Sequence, residues 1–236
     1  MALRWMAEHI RLTASDGFVC DAYVARPVGV PKGGIVVVQE IFGVNPHIRS
    51  VADRYAAEGY LAVAPALFDR AEPGFQSGYQ PEDVPRAYAM IGKVSSGPAL
   101  LDIAAAIQFA AQAGKVGVVG FCMGGGLALV VACQRPDAVA AAAPYYGAIP
   151  WESAQPNWSA LTATVVGEYA ENDGWASPEA ARALEAQLRD LGKEATMHIH
   201  PACDHAFFND TRPEVYDAAA SAVAFERTVG LFRSTL

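Results

Sequence analysis

Residues 115 to 126, Lys-Val-Gly-Val-Val-Gly-Phe-Cys-Met-Gly-Gly-Gly, constrain the fold more than any other stretch of the chain. The β-branched run Val116, Val118, Val119 reads as a buried strand that stops at Gly120. The helical apolar pattern Leu127-Ala128-Leu129-Val130-Val131 begins a few residues later. Cys122 sits at the joint, with glycines two residues before and two residues after it. This is the strand–turn–helix setting of a nucleophile elbow, with cysteine where serine usually stands. So sharp a turn forces its central residue into a strained conformation, and the flanking glycines remove the Cβ atoms that would clash. The thiol then projects at a helix N-terminus, where the dipole favours a thiolate and the Met123 N–H is free to hold an oxyanion. Two other readings stay open on these residues alone. Glycine-rich turns also hold phosphates, although this one lacks both the Lys-Ser/Thr ending of a P-loop and the spacing of a dinucleotide fingerprint. A buried cysteine can also be a small core residue with no chemistry.

The rest of the chain supplies the sheet that such an elbow needs. Segments 9–13 and 18–25 flank the turn Ser15-Asp16-Gly17 and read as an antiparallel hairpin. Short apolar strands are expected at 35–38, 61–64, 116–119, 139–144, 164–166 and 195–199. Helical patterns alternate with them near 47–58, 82–92, 98–112, 124–134, 178–191 and 214–232, two of them opening on Ser177-Pro178-Glu179 and Arg212-Pro213-Glu214. This alternation implies a mostly parallel twisted sheet with helices on both faces, in one α/β domain spanning residues 1–236. A chain of 236 residues buries roughly 70–75% of its unfolded surface, enough to fold without a metal or disulfide.

Charge and cysteine usage narrow the partners. A net charge of −8 argues against nucleic acid and against anionic membrane surfaces. Cys20, Cys122, Cys133 and Cys203 form no CxxC pair, which suits free thiols in a reducing, cytoplasmic setting. The first ten residues carry charges and no apolar core, unlike a signal peptide. No apolar run approaches the ~18 residues of a membrane helix.

A parallel sheet places its site at the carboxyl ends of its strands, so a base and an orienting acid are sought in loops just after strands. His205, in Ala202-Cys203-Asp204-His205-Ala206-Phe207, follows the last expected strand. Asp173, in Glu171-Asn172-Asp173-Gly174-Trp175, follows the strand ending near Val166. The order nucleophile, acid, histidine is that of α/β-hydrolases. Glu168 and Glu171 compete with Asp173 for the acid's role. His198 and His200 alternate on a strand and could bind zinc with Cys203 or His205, but no clear carboxylate partner accompanies them and that reading leaves the elbow unused. His9 and His47 read as surface or packing residues. Glu40 ends the apolar run Ile35-Val36-Val37-Val38-Gln39, where a carboxylate is costly without a partner and would face the same crevice as Cys122.

Four motifs, Gln39-Glu40-Ile41-Phe42-Gly43-Val44-Asn45, Gly120-Phe121-Cys122-Met123-Gly124-Gly125, Tyr145-Tyr146-Gly147 and Asp204-His205-Ala206-Phe207, resemble dienelactone hydrolases, also called carboxymethylenebutenolidases. The resemblance implies a monomeric, cofactor-free and metal-free α/β-hydrolase with a Cys122-His205-Asp173 triad. It implies that Glu40 holds the resting thiol and takes its proton when substrate displaces it. The N–H groups of Ile41 and Met123 would hold the oxyanion, and a small lactone or ester would be opened through an acyl-thioester. It places Arg70, Tyr145 and Asn209 against the substrate. The family clamps a substrate carboxylate with two arginines. One matches Arg70; at the other position this chain has the neutral Asn209. Two alternatives accompany this expectation: a general carboxylesterase for small uncharged esters, and a non-catalytic relative that binds a small ligand.

Overall fold

Alternating side chains of the central strands feed two separate cores. Val36, Val38 and Val118 point to one face of the sheet; Ile35, Val37 and Val119 point to the other. All six are fully buried, so these strands carry apolar residues at successive positions rather than every second one. The structure, a computed structural model, describes residues 5–149 and 151–236. The first four residues of the N-terminal segment read above lie outside that description.

Eight strands form one sheet: β1 (Trp5–Thr13), β2 (Val19–Pro27), β3 (Gly34–Val38), β4 (Leu61–Pro65), β5 (Val116–Phe121), β6 (Val139–Tyr145), β7 (Thr164–Ala170) and β8 (Ala195–His200). Their spatial order is β1-β2-β4-β3-β5-β6-β7-β8. β1 and β2 form the expected hairpin, β2 runs antiparallel to β4, and all the remaining pairs are parallel. Helices α1 (Pro46–Ala57) and α6 (Ala218–Thr235) cover one face. Helices α3 (Ser96–Ala110), α4 (Met123–Gln134) and α5 (Pro178–Asp190) cover the other, and Ala87 and Met90 of α2 (Val84–Lys93) join the same core. No single helix among the described residues is long and apolar enough to cross a membrane.

Two of the boundaries that differ from the sequence expectation bear on the site. β7 continues to Ala170, which makes Glu168 a strand residue instead of a loop carboxylate. α6 starts at Ala218, with the Asp217 side chain accepting from the Ala220 N–H at 2.8 Å, so Arg212-Pro213-Glu214 belongs to the preceding turns. An aspartate N-cap satisfies an otherwise orphaned N–H and displaces the weaker proline signal upstream. Ser177 does cap α5, as its sequence indicates.

Register brings the strand ends level. Val38 pairs with Gly120, Phe121 with Tyr145, Tyr145 with Glu168, and Ala170 with His200. The residues that follow these ends are Glu40 and Ile41, Cys122 and Met123, Tyr146, Asp173, and His205. Five strands thus bring these residues to one edge of the sheet.

Candidate active site

The elbow is strained as its sequence requires. Cys122 adopts φ 55°, ψ −121°, a left-handed conformation rare for a side chain with a Cβ. A Cβ on Gly120 would fall on the Gly124 carbonyl, and one on Gly124 would fall on the Val38 carbonyl, so both positions must be glycine. α4 starts at Met123, and among the described residues neither the Met123 nor the Ile41 N–H donates to a backbone acceptor. The Met123 N–H faces the Cys122 sulfur, so a donor of the kind an oxyanion site requires stands at the thiol.

His205 and Asp173 meet as expected, with His205 Nδ1 2.6 Å from Asp173 Oδ2. Asp173 is buried and its other oxygen accepts from the Trp175 and Ala176 N–H groups at 2.8 and 2.9 Å. Burial alone would push its carboxyl up, but the His205 contact and the two N–H groups outweigh burial and hold it below its ordinary range. The His205 side chain keeps 30% of its surface exposed. Its ring lies edge-on to Tyr146 (5.0 Å between centroids) and to Trp175 (5.5 Å).

Glu40 is buried, and the sequence argument that it needs a partner is answered by Tyr79, whose hydroxyl donates to Oε2 at 2.8 Å. Asn45 donates in turn to the Tyr79 hydroxyl at 2.8 Å. Burial, and then the Glu40 charge, push the Cys122 thiol well above its ordinary range, which favours the neutral thiol at rest. Arg212 opposes this shift. Its guanidinium lies 5.5 Å from the centre of the Tyr79 ring and its Nε donates to Glu214 at 2.8 Å.

The three residues expected against substrate have partners of their own within the protein. Arg70 donates to Asp102 from Nε (2.7 Å) and Nη2 (2.8 Å), and to Asp16 from Nη1 (2.8 Å) and Nη2 (3.2 Å). Only 12% of its side chain is exposed and Asp102 is fully buried, so the guanidinium fastens the turn after β4 to α3 and the β1–β2 hairpin. Its donor fork is spent on those two carboxylates. Tyr145 is buried in the α1/α6 core, with its hydroxyl 2.7 Å from Thr228 Oγ1. Asn209 is buried too; its amide donates to Glu40 at 3.4 Å and its oxygen accepts from Thr211. It braces Glu40 and its own loop.

Sequence reasoning missed Tyr79, Tyr146 and Arg212. Tyr79 lies in a turn of mixed composition with no pattern to mark it. Tyr146 carries φ 37°, which breaks the strand alternation and turns its ring under His205; its buried hydroxyl has no hydrogen-bond partner among the described residues. Arg212 was read as part of a helix start. The competing acids also find their places: Glu171 accepts from the Ala202 N–H at 2.8 Å, and Glu168 is fully buried with its Oε2 2.6 Å from His200 Nε2. The carboxylate partner that His198-x-His200 lacked in the sequence is therefore Glu168. No cluster of three or more His, Cys, Asp or Glu among the described residues is arranged to hold a metal ion. His47 is a buried packing residue against Phe121 and Phe208, and all four cysteines are free.

A parallel sheet with this strand order, helices on both faces and a cysteine elbow at the ends of its central strands defines an α/β-hydrolase-type protein. A family model described as the dienelactone hydrolase family matches residues 20–236. A provisionally assigned carboxymethylenebutenolidase from Synechocystis sp. is 34% identical, with 91% of each chain covered. One from Escherichia coli K12 is 32% identical, over 93% of this chain and 84% of its own. The crystal structure of a provisionally assigned dienelactone hydrolase from Klebsiella pneumoniae superposes with a TM-score of 0.82 at 30% identity, covering 97% and 99% of the two chains. An esterase from Pyrobaculum calidifontis shares the fold, with a TM-score of 0.68 at 17% identity, 97% of this chain and 85% of that one being covered. The chain belongs to the dienelactone hydrolase family.

Proposed function

We propose that this hydrolase opens dienelactone-type lactones and small carboxylic esters with Cys122 as nucleophile, His205 as base and Asp173 as orienting acid. The observation that carries the reading is the 2.6 Å His205–Asp173 contact, held at the same strand-end level as the strained Cys122 elbow. Substrate entering the crevice disturbs the Glu40 contacts, and Glu40 accepts the thiol proton. The thiolate adds to the acyl carbon, and the Ile41 and Met123 N–H groups hold the resulting oxyanion. Collapse breaks the acyl C–O bond and leaves a thioester; the departing oxygen takes a proton from the site. His205 then removes a proton from water, whose oxygen adds to the thioester, and the thiol leaves with the acid as product. Asp173 fixes the histidine tautomer and stabilises the imidazolium. The chain works in this reading as a monomer of one domain without a cofactor, in a reducing compartment that keeps Cys122 free.

A second reading, a carboxylesterase for uncharged small esters, is favoured by one observation: Arg70 is occupied by Asp102 and Asp16. Assays of cis- and trans-dienelactone beside p-nitrophenyl acetate decide between them. Cys122→Ala is expected to abolish every activity the wild type shows while circular dichroism stays unchanged, and chelators are expected to leave the wild type unaffected. Turnover retained in Cys122→Ala would overturn both readings. Hydrolysis of the neutral ester alone would select the second.

A further inference from the structure

A hollow of about 160 Å³ lies between the loop after β6 and the start of α5, lined by Leu129, Ala148, Trp158, Trp175, Ala180 and Leu184. Its walls come from segments that carry the candidate catalytic groups. Leu129 belongs to α4, the helix that begins at the elbow, and Gly147, also on the wall, packs against Gly125 so closely that a Cβ there would lie 2.7 Å from the Gly147 Cα. Trp175 and Ala176 supply the two N–H groups that hold Asp173, and the Trp175 ring lies edge-on to His205 at 5.5 Å. Trp175 is also 44% exposed, a large apolar surface left open beside the candidate base. Apolar cavities of about this size accept a single benzene-sized molecule.

We propose that this hollow is the subsite for the apolar arm of the leaving alcohol. The inference rests on the hydrolase reading and deepens it. His205 Nδ1 is engaged by Asp173, so Nε2 is the ring nitrogen that takes the proton of the attacking water; that water approaches the acyl carbon from the position the departing oxygen has vacated, which puts the oxygen on the histidine side. When the acyl C–O bond breaks, the electron pair goes to that oxygen, and the thiol proton taken up by Glu40 neutralises it and restores the Glu40 carboxylate. The carbon arm on that oxygen then runs past His205 towards Trp175. Aryl and short alkyl alcohols match the volume and the aromatic lining; a charged alcohol would lose its hydration there with no partner. Selectivity for the alcohol is thus separate from whatever the acyl side prefers.

The test compares acetate esters of methanol, butanol and phenol with a second series in which p-nitrophenol is constant and the acyl chain lengthens. Ala180→Phe fills the hollow from the exposed side of α5, and Trp175→Ala removes its wall. The ratio of kcat/KM for phenyl acetate to that for methyl acetate is expected to fall about tenfold or more in both variants, the scale on which an apolar pocket discriminates. The profile along the acyl series keeps its shape. Quenching of tryptophan fluorescence by phenol is expected in the wild type and lost in Ala180→Phe. An unchanged alcohol ratio in both variants, or a change confined to the acyl series, overturns the subsite. If the wild type hydrolyses no ester while phenol still quenches and Ala180→Phe abolishes the effect, the hydrolase reading fails and the hollow stands as a site for an apolar ring. Absence of both hydrolysis and quenching overturns the subsite as well.

Discussion

Strands β7 and β8 and the loops after them hold two carboxylate–histidine pairs with the same 2.6 Å separation, Asp173–His205 and Glu168–His200. The first lies beyond the strand ends, with a histidine 30% exposed and a second carboxylate oxygen held by two backbone N–H groups. The second lies inside the sheet. The His200 side chain is 6% exposed and packed on Phe207, and Glu168 also meets Arg227 at 3.3 Å. Distance therefore does not separate the pair proposed to be catalytic from the one inside the sheet. Position relative to the sheet edge is what sets the proposed catalytic pair apart, because the outer histidine keeps 30% of its side chain exposed and the inner one 6%. The inner pair fastens the two strands from which the outer pair is hung.

Substitution of the acids should divide the pairs most sharply. Asp173→Asn leaves the histidine in the wrong tautomer and is expected to lower kcat by about 10⁴-fold. Glu168→Gln, measured in the same assay, is expected to stay within a few-fold of the wild type. A larger loss in Glu168→Gln would reverse the assignment and make the inner pair the functional one.

Glu40 is a third buried carboxylate, and it shows what the same group does beside a thiol. Glu40→Gln removes the proton acceptor and is expected to slow acylation by about 10²-fold. The same change removes the negative charge that raises the thiol, so iodoacetamide should alkylate resting Cys122 faster at neutral pH in the variant. Slower turnover with faster alkylation is a combination that simple misfolding does not produce. Equal acylation rates would make Glu40 structural only.

Stability should rank the pairs in the opposite order to activity. Glu168 is fully buried, and Glu168→Gln leaves an altered partner for His200 at a cost of roughly 1–3 kcal/mol in urea unfolding. The pH dependence is the smallest effect and belongs to Asp173. Its folded value lies below the ordinary 3.8, so its ionised form contributes stability above pH 3.8, and that contribution is lost as pH falls through the depressed value. The stability gap between wild type and Asp173→Asn should therefore close at strongly acidic pH. A gap that persists there would show that Asp173 acts through packing rather than charge.

The sequence made the elbow legible because glycine spacing, a β-branched run and an apolar helix agreed at one point. Glu40 was legible for a similar reason, since a carboxylate ending an apolar strand demands a partner. Tyr79 could not be found, because a partner 39 residues away leaves no local mark. The extent of β7 was hidden by Glu168, whose charge looks like a strand end until His200 and Arg227 neutralise it in the fold. The place of Tyr146 beside His205 was hidden because its left-handed backbone ends the strand alternation, a break the residue types do not mark. Arg70 matched the family's clamp in sequence, yet Asp16 and Asp102 lie 54 and 32 residues away along the chain, beyond any local pattern.

The central claim is that the outer pair serves Cys122. Rapid quenching of the wild type, Asp173→Asn and Glu168→Gln after mixing with p-nitrophenyl acetate, followed by peptide mass mapping, measures it directly. The account predicts one acetyl group on the Cys122 peptide in the wild type and in Glu168→Gln, formed at similar rates. In Asp173→Asn that acetyl group should form and decay far more slowly. Acetyl found elsewhere, or normal acylation in Asp173→Asn with failure in Glu168→Gln, would contradict it.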